Sequence, residues 1–412
     1  MQEKTILIIG LVWPEPNSSA AGTRMVQLIN VFLENRYTVV FASAATKSAF
    51  SADLVSMGVQ EVAIKLNDDS FNEFIGDLKP DTVMYDRYMI EEQYGWRVKQ
   101  TCPNAFTILD TEDLHCLRAA RKAAVKTFND ADDEDLFNDI AIREIASIYR
   151  SDVSLIISKV ELEILVHKYG VSSDLLYYLP FLEEKLTPAV IEKWRTFDKR
   201  EGVMFIGNYL HEPNWHTLQI LKTEIWPQLR KRLPSVTMHA YGAYSSQKVM
   251  QLHDVSERFL VHGRADNAKA VMARHKVLLA PIKFGAGVKG KFIDAMQSGT
   301  PAVTTSIGSE AMSGNLPWGG AICDDIPAFV EAAANLYLDR NAWLQAQENG
   351  TRILNERYNR DLFTQQFLDQ LDALKKNILQ HRRKNFIGQI LHHNTLNSLK
   401  YMSLWIAEKN RS

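Results

Sequence analysis

Residues 284–297 read FGAGVKGKFIDAMQ, and the residue types gathered there could do chemistry together. Gly285 and Gly287 allow positive φ and a close approach of backbone to a ligand. Lys289 and Lys291 stand at the start of KFIDAMQSG, which has helical spacing: Phe292, Ile293 and Met296 form an apolar face, and Gly299 takes the C-terminal capping place. A helix start presents free N–H groups and a partial positive charge, so two lysines there predict a phosphate site. Asp294 lies three residues beyond Lys291, on the same side of the helix. An acid repels phosphate, but it accepts hydrogen bonds from a ribose diol. Gly285, Gly287, Val288, Lys289, Lys291 and Asp294 therefore predict a pocket for a nucleotide diphosphate. The plain alternative leaves Asp294 as a complement to the helix dipole and the lysines as solvated charges.

Further candidates sit at other strand ends. Ser18 to Gly22 lead into a helix start, where small residues permit close approach and Arg24 in the first turn could reach a phosphate across a cleft. Glu112, Asp113 and His115 follow FTILD, at the carboxyl end of a strand, where open α/β sheets bind ligands; an acid or imidazole there could orient an acceptor hydroxyl or take its proton. Arg118 and Arg121 repeat on one helix face behind them and could bind an anionic acceptor. Asp86 and Arg87, with Glu91 and Glu92 behind, end another strand. Arg264 follows FLVHG, and Glu310 follows PAVTTSIG.

The elements that must position these residues alternate. Apolar runs TILIIGL, YTVVFAS, VQEVAIKL, DTVMYD, FTILDTED and VSLIISK are separated by helix-period segments such as 18–36, which predicts a parallel sheet covered on both faces. Residues 176–202 are polar, strand-poor and carry two prolines, and read as an inter-domain linker. Alternation resumes with VMFIGNY, a helix over 214–232, VTMHAYG, FLVHG, KVLLAPI and PAVTTS. The fold class is α/β, with two doubly wound domains and ligands bound outside the strand ends and between the domains.

The 412 residues suit two cores, and 46% apolar residues can fill them. A net charge of −2 argues against nucleic acid as a partner. Cys102, Cys116 and Cys323 read as reduced thiols. No run approaches the roughly 18 apolar residues of a membrane span, and the expectation is a cytoplasmic chain. The acidic run 129–139 reads as a solvated helix start or loop.

FIDAM, QSGTPAV and TTSIGSEAM resemble the donor-site motif of family-4-type glycosyltransferases of the GT-B fold. MFIGNYLHEPNWHTLQIL, WPEPNSSAAGTRMVQL and ILDTEDLHCLRAAR resemble further segments of a bacterial subgroup, so the likeness covers most of residues 1–360. The resemblance implies GT-B architecture with a deep inter-domain cleft: an acceptor-side domain over 1–182, a donor domain over 183–360, and a helical tail over 361–412 crossing back to the first. It implies retaining transfer of a sugar from a nucleotide-diphosphate donor, without metal or other cofactor, to a glycan or lipid-linked acceptor in surface glycan biosynthesis. Glu112, Asp113 and His115 are then the catalytic candidates. Gly22, Arg24, Gly207, Asn208, Arg264, Glu310 and the 285–294 set become donor-binding candidates.

Three positions depart from the family pattern. Of its two glutamates eight positions apart, the first falls on Ala286 and the second on Asp294, and its strand-end arginine is Asn208. Two other readings stay open on this fold: a catalytically silent sugar-nucleotide or glycan-binding partner, and a nucleotide-sugar epimerase or hydrolase. The tail beyond 374 is basic and amphipathic, and Arg382, Arg383 and Lys384 offer peripheral contact with the inner membrane face.

Overall fold

A computed structural model describes residues 4–127, 135–393, 405–406 and 409. Most of the acidic run and tail residues Leu396, Leu399 and Met402 lie outside them.

The first sheet holds β1 (Lys4–Gly10), β2 (Tyr37–Ser43), β3 (Gln60–Ala63), β4 (Thr82–Asp86), β5 (Phe106–Asp110), β6 (Val153–Ile156) and β7 (Leu176–Tyr178), in the order β3-β2-β1-β4-β5-β6-β7. The second holds β8 (Val203–Ile206), β9 (Met238–Tyr241), β10 (Phe259–Gly263), β11 (Val277–Ala280), β12 (Ala302–Thr304) and β13 (Gly320–Ile322), in the order β10-β9-β8-β11-β12-β13. Every described strand pair is parallel. The strands are apolar on both sides because helices cover both faces; Ile6, Leu7, Ile8 and Ile9 are all 0% exposed.

Two apolar clusters flank the first sheet and one fills the second unit. This is the two-unit α/β architecture of the GT-B fold. Strand order reverses between β1 and β4 and between β8 and β11, and the loops leaving these strands meet face to face.

Some elements differ from expectation. Residues 176–202 are not wholly linker: Leu176–Tyr178 pairs with β6 as an edge strand. A short, half-buried edge strand carries little apolar signal. The helix over 214–232 passes through a π-turn at Leu221–Ile225. Pro227 comes two residues after it; it supplies no N–H and crowds the carbonyl one turn back.

The chain crosses between units twice, side by side. Glu183 N donates to Tyr358 O (2.7 Å) and Arg360 N to Glu183 O (2.8 Å). The helix Arg360–Lys376 then sets Phe367 and Leu371 into the core beside Phe32. The next turns stay on the first unit. His381 Nε2 meets Asp152 O (2.6 Å), and Arg382 binds the Asp152 carboxylate and the carbonyls of Pro103 and Ala105. Arg382 is thus not available to a membrane surface, because a buried acid and two carbonyls of the loop before β5 consume its guanidinium. No helix among the described residues is long and apolar enough to cross a membrane.

Candidate functional site

The facing loops enclose a cleft of ≈ 510 Å³. Its lining includes Gly22, Glu112, Asp113, Gly207, Asn208, Arg264, Gly285, Gly287, Val288, Lys289, Lys291 and Asp294.

Two helix starts oppose each other across it. One belongs to Ala20–Glu34, capped by Ser19, whose Oγ accepts Gly22 N (3.0 Å). The other belongs to Gly290–Gln297. They are so close that a Cβ on Gly290 would lie 2.7 Å from Ala20 Cβ. Gly287, at φ 65°, comes equally close to the first unit: its Cβ would fall 2.8 Å from Asp113 Cβ. Glycine at 287 and 290 is what lets the loop after β11 touch the loops after β1 and β5.

The charged groups at this start are held away from water. Burial pushes the Lys289 ammonium down to about 8, against the opposing pull of Glu310. Burial pushes Lys291 to about 7, aided by the charge of Lys289. Lys289 Nζ donates to Gly287 O (2.9 Å), and Lys291 Nζ donates to Asn214 Oδ1 (2.7 Å) above the Phe205 ring. Burial raises the Asp294 carboxyl to about 6, with Lys269 opposing and Glu183 reinforcing. That carboxylate has no hydrogen bond among the described residues, so its acceptors are free for a ligand's hydroxyls. Two part-discharged cations and one under-bonded acid meet a diphosphate and a diol better than they meet each other.

Asn208 lines the cleft as a turn residue: its Oδ1 accepts Leu210 N (2.9 Å) and its carbonyl accepts Asn214 Nδ2 (2.9 Å). Gly207 leaves room for Asn214, whose side chain a Cβ there would meet at 2.7 Å. Arg264 Nε reaches Ser18 Oγ (3.4 Å) from the opposite unit and stacks over Phe50. Beside it Tyr244 donates to Glu15 (2.9 Å), so the cleft rim is bridged.

On the first unit, Glu112 takes a left-handed φ of 63°, and its buried Oε1 has no hydrogen-bond partner among the described residues. Burial first, then Asp110, raises its carboxyl to about 8. Asp113 behaves oppositely: burial would raise it, but Arg118 (2.6 Å) and His115 outweigh that and hold it below the usual range. The two neighbours thus offer a protonated and an ionised carboxyl at neutral pH.

Of the expected residues, three lie outside the cleft lining and a fourth lines it with its N–H already taken. Arg24 is 1% exposed and wholly bonded, to both Asp110 oxygens (2.8–3.1 Å) and to Leu179 O (2.8 Å), so it reaches no phosphate. Gly22 lines the cleft but its N–H is taken by Ser19; a Cβ would strike the Glu15 backbone at 2.5 Å. His115 opens a helix behind the cleft, its Nδ1 turned toward Asp113 O (3.2 Å) and Glu144 (3.4 Å). Glu310 lies outside the lining, gripped by Arg121 at 2.6 and 2.8 Å, while Arg121 also donates to Gly285 O. Asp86 and Arg87 do line the cleft, whereas Glu91 and Glu92 pair with Arg150 and Arg143 on the far side.

Asn214 and His211 escaped the reading of the residues. Asn214 positions Lys291, and its place in EPNW was a visible signal. His211 lines the cleft and is neutral, pushed by burial to about 4. Nothing around it in the sequence distinguishes it.

Residues 200–339, about a third of the chain, match the family model described as glycosyl transferases group 1. The chain is 25% identical over 175 residues to an uncharacterized 44.6 kDa protein in the cps region of Klebsiella pneumoniae; the match spans 40% of this chain and 45% of that one, less than half of either. Among solved structures, HepE of Anabaena, in complex with UDP and glucose, superposes with a TM-score of 0.66 at 14% identity, covering 90% of this chain and 100% of that one. Sucrose-phosphate synthase of Thermosynechococcus elongatus gives 0.65 at 13%, covering 90% and 99%. At these identities the likeness is one of fold.

Proposed function

We propose that this chain is a retaining glycosyltransferase that moves a sugar from a nucleotide-diphosphate donor to a glycan or lipid-linked acceptor in surface polysaccharide assembly. The observation that carries the reading is the meeting of Lys289, Lys291 and Asp294 at one helix start, opposite the start of a second helix. Negative charge develops on the departing diphosphate, and fixed positive charge already aimed there lowers the barrier. The two lysines supply this neutralisation, which is the ground for expecting no metal. Asp294 takes the ribose diol. A uridine base is the first to test, since HepE binds UDP.

Asp113, ionised beside Arg118, orients the acceptor hydroxyl. Glu112, protonated at neutral pH, donates a hydrogen bond to an oxygen of the bound sugar. The bridged rim excludes water, which limits wasteful hydrolysis of the donor. Retention follows from the motif resemblance. Peripheral membrane contact falls to Arg383 and Lys384, beside exposed Phe386 and Ile387.

The test is incubation with UDP-, GDP- and ADP-sugars and a panel of glycan and lipid-linked acceptors, with the product's anomeric configuration read by NMR. A product that keeps the donor's configuration supports the proposal, and an inverted one refutes retention. Binding without any product favours the silent sugar-nucleotide-binding reading, for which Ala286 and Asn208 are the supporting positions.

A further inference from the structure

Ser158 and Glu161 have the spacing of a capping box, S-x-x-E, at the start of the helix Lys159–His167. In that motif the serine caps the helix and the glutamate folds back to satisfy the N–H of the serine itself. Only the first half is kept here. Ser158 Oγ accepts Glu161 N (3.3 Å), but the Glu161 carboxylate is sent elsewhere. One oxygen, Oε1, accepts two backbone N–H groups: Leu114 N at 3.1 Å and Gly287 N at 2.6 Å. The other, Oε2, has no hydrogen-bond partner among the described residues, in a residue that is 0% exposed.

The two N–H groups belong to different units. Leu114 follows Glu112 and Asp113 in the turn after β5, and Gly287 is the centre of the glycine loop after β11. Burying a carboxyl with half its acceptors unmet costs free energy, and burial first, then the nearby Asp113, drives this one to about 8. A local capping bond would have avoided that cost. The geometry yields in return a fixed distance between the loop that carries Lys289 and the turn that carries Asp113. Gly287 is fitted to this contact, since its backbone passes too close to Asp113 to admit a side chain.

We propose that Glu161 is a positioning residue that pins the donor loop of the second unit to the catalytic turn of the first, setting the spacing at which donor and acceptor groups meet. The kinetic part of this rests on the transferase reading; the pinning itself does not.

The experiment is therefore run on the ligand-free full chain first. Hydrogen exchange is followed at residues 284–290 and 112–115 in wild type, Glu161→Ala and Glu161→Gln. Glutamine keeps an oxygen that can accept both N–H groups. Alanine should speed exchange of the Gly287 amide by about tenfold or more, with the rest of the second unit unchanged, and glutamine should hold it within about twofold of wild type. Should the alanine protein fail to fold, Glu161→Asp, too short to span both groups, takes its place with the same expectation. Unchanged exchange at Gly287 in the folded alanine or aspartate protein overturns the proposal. So does a loss of protection spread evenly over the second unit, which would mark a merely structural acid. Where a transfer assay is available, alanine should lower kcat by about tenfold with KM for the donor within about threefold, and glutamine should restore it. Failure of every nucleotide to bind would sink the transferase reading while leaving the exchange result to stand or fall alone.

Discussion

Arg24 and Lys291 occupy comparable places in the two units. Each lies near the start of a helix that follows a strand and a run of small residues, SSAAGTR in one and GAGVKGK in the other. Their fates differ. Arg24 is sealed against Asp110, 1% and 0% exposed, with every charge-bearing nitrogen bonded inside the protein. Lys291 has, among the described residues, one hydrogen-bond partner, the neutral Asn214, and a second lysine nearby, and its ammonium is driven toward neutrality. The difference comes from the neighbouring strand ends. β5 ends in an acid, and β8 and β11 end in Ile206 and Ala280. A cation with a built-in counter-ion is architecture; one without it waits for an anion.

That contrast can be broken most forcefully at Arg24. Arg24→Ala strands the Asp110 carboxylate in the core and should cost about 3–5 kcal/mol in unfolding free energy, measured by urea denaturation. Protein that remains folded should bind nucleotide diphosphate as wild type does. Lys291→Ala should do the reverse: unfolding free energy unchanged or raised, and diphosphate affinity reduced by about 100-fold in calorimetry, the loss expected for a charge-assisted contact to phosphate.

The pH dependence sharpens the same point. Free Lys291 and Lys289 titrate at about 7 and about 8, and a bound anion raises both. Affinity is then full below pH 7 and falls as pH rises through these values, by up to about tenfold per unit for each proton taken up. Asp294, at about 6, must be ionised to accept from the ribose, so affinity also falls below pH 6. An optimum between 6 and 7 is expected in titrations across pH, and Asp294→Asn should flatten only its acid limb. The smallest effect is predicted for Glu310→Gln. It loosens the grip of Arg121 outside the cleft and should weaken donor binding by no more than about threefold.

The same contrast explains what could be read without coordinates. Fully buried parallel strands announce themselves as apolar runs, so the alternation and the two-unit fold were legible, while Leu176–Tyr178 at a sheet edge was not. The glycine–lysine–acid set was legible because its members fall within ten consecutive residues, 285–294, across one loop and the helix start that follows it. Asp110 as the partner of Arg24 was not, since the two are 86 residues apart and meet only through the order β1-β4-β5. The surroundings of His115 were hidden for a similar reason: Glu144, which sits 3.4 Å from its Nδ1, comes from a helix no local pattern could bring there.

The most direct test of the account is calorimetry of UDP, GDP, ADP and CMP binding at pH 8, repeated in two buffers of different ionisation enthalpy. A diphosphate held by Lys289 and Lys291 should bind with net proton uptake, and that uptake should fall in Lys291→Ala. Binding with no proton uptake, or no binding by any of the four, would contradict a diphosphate site at this helix start.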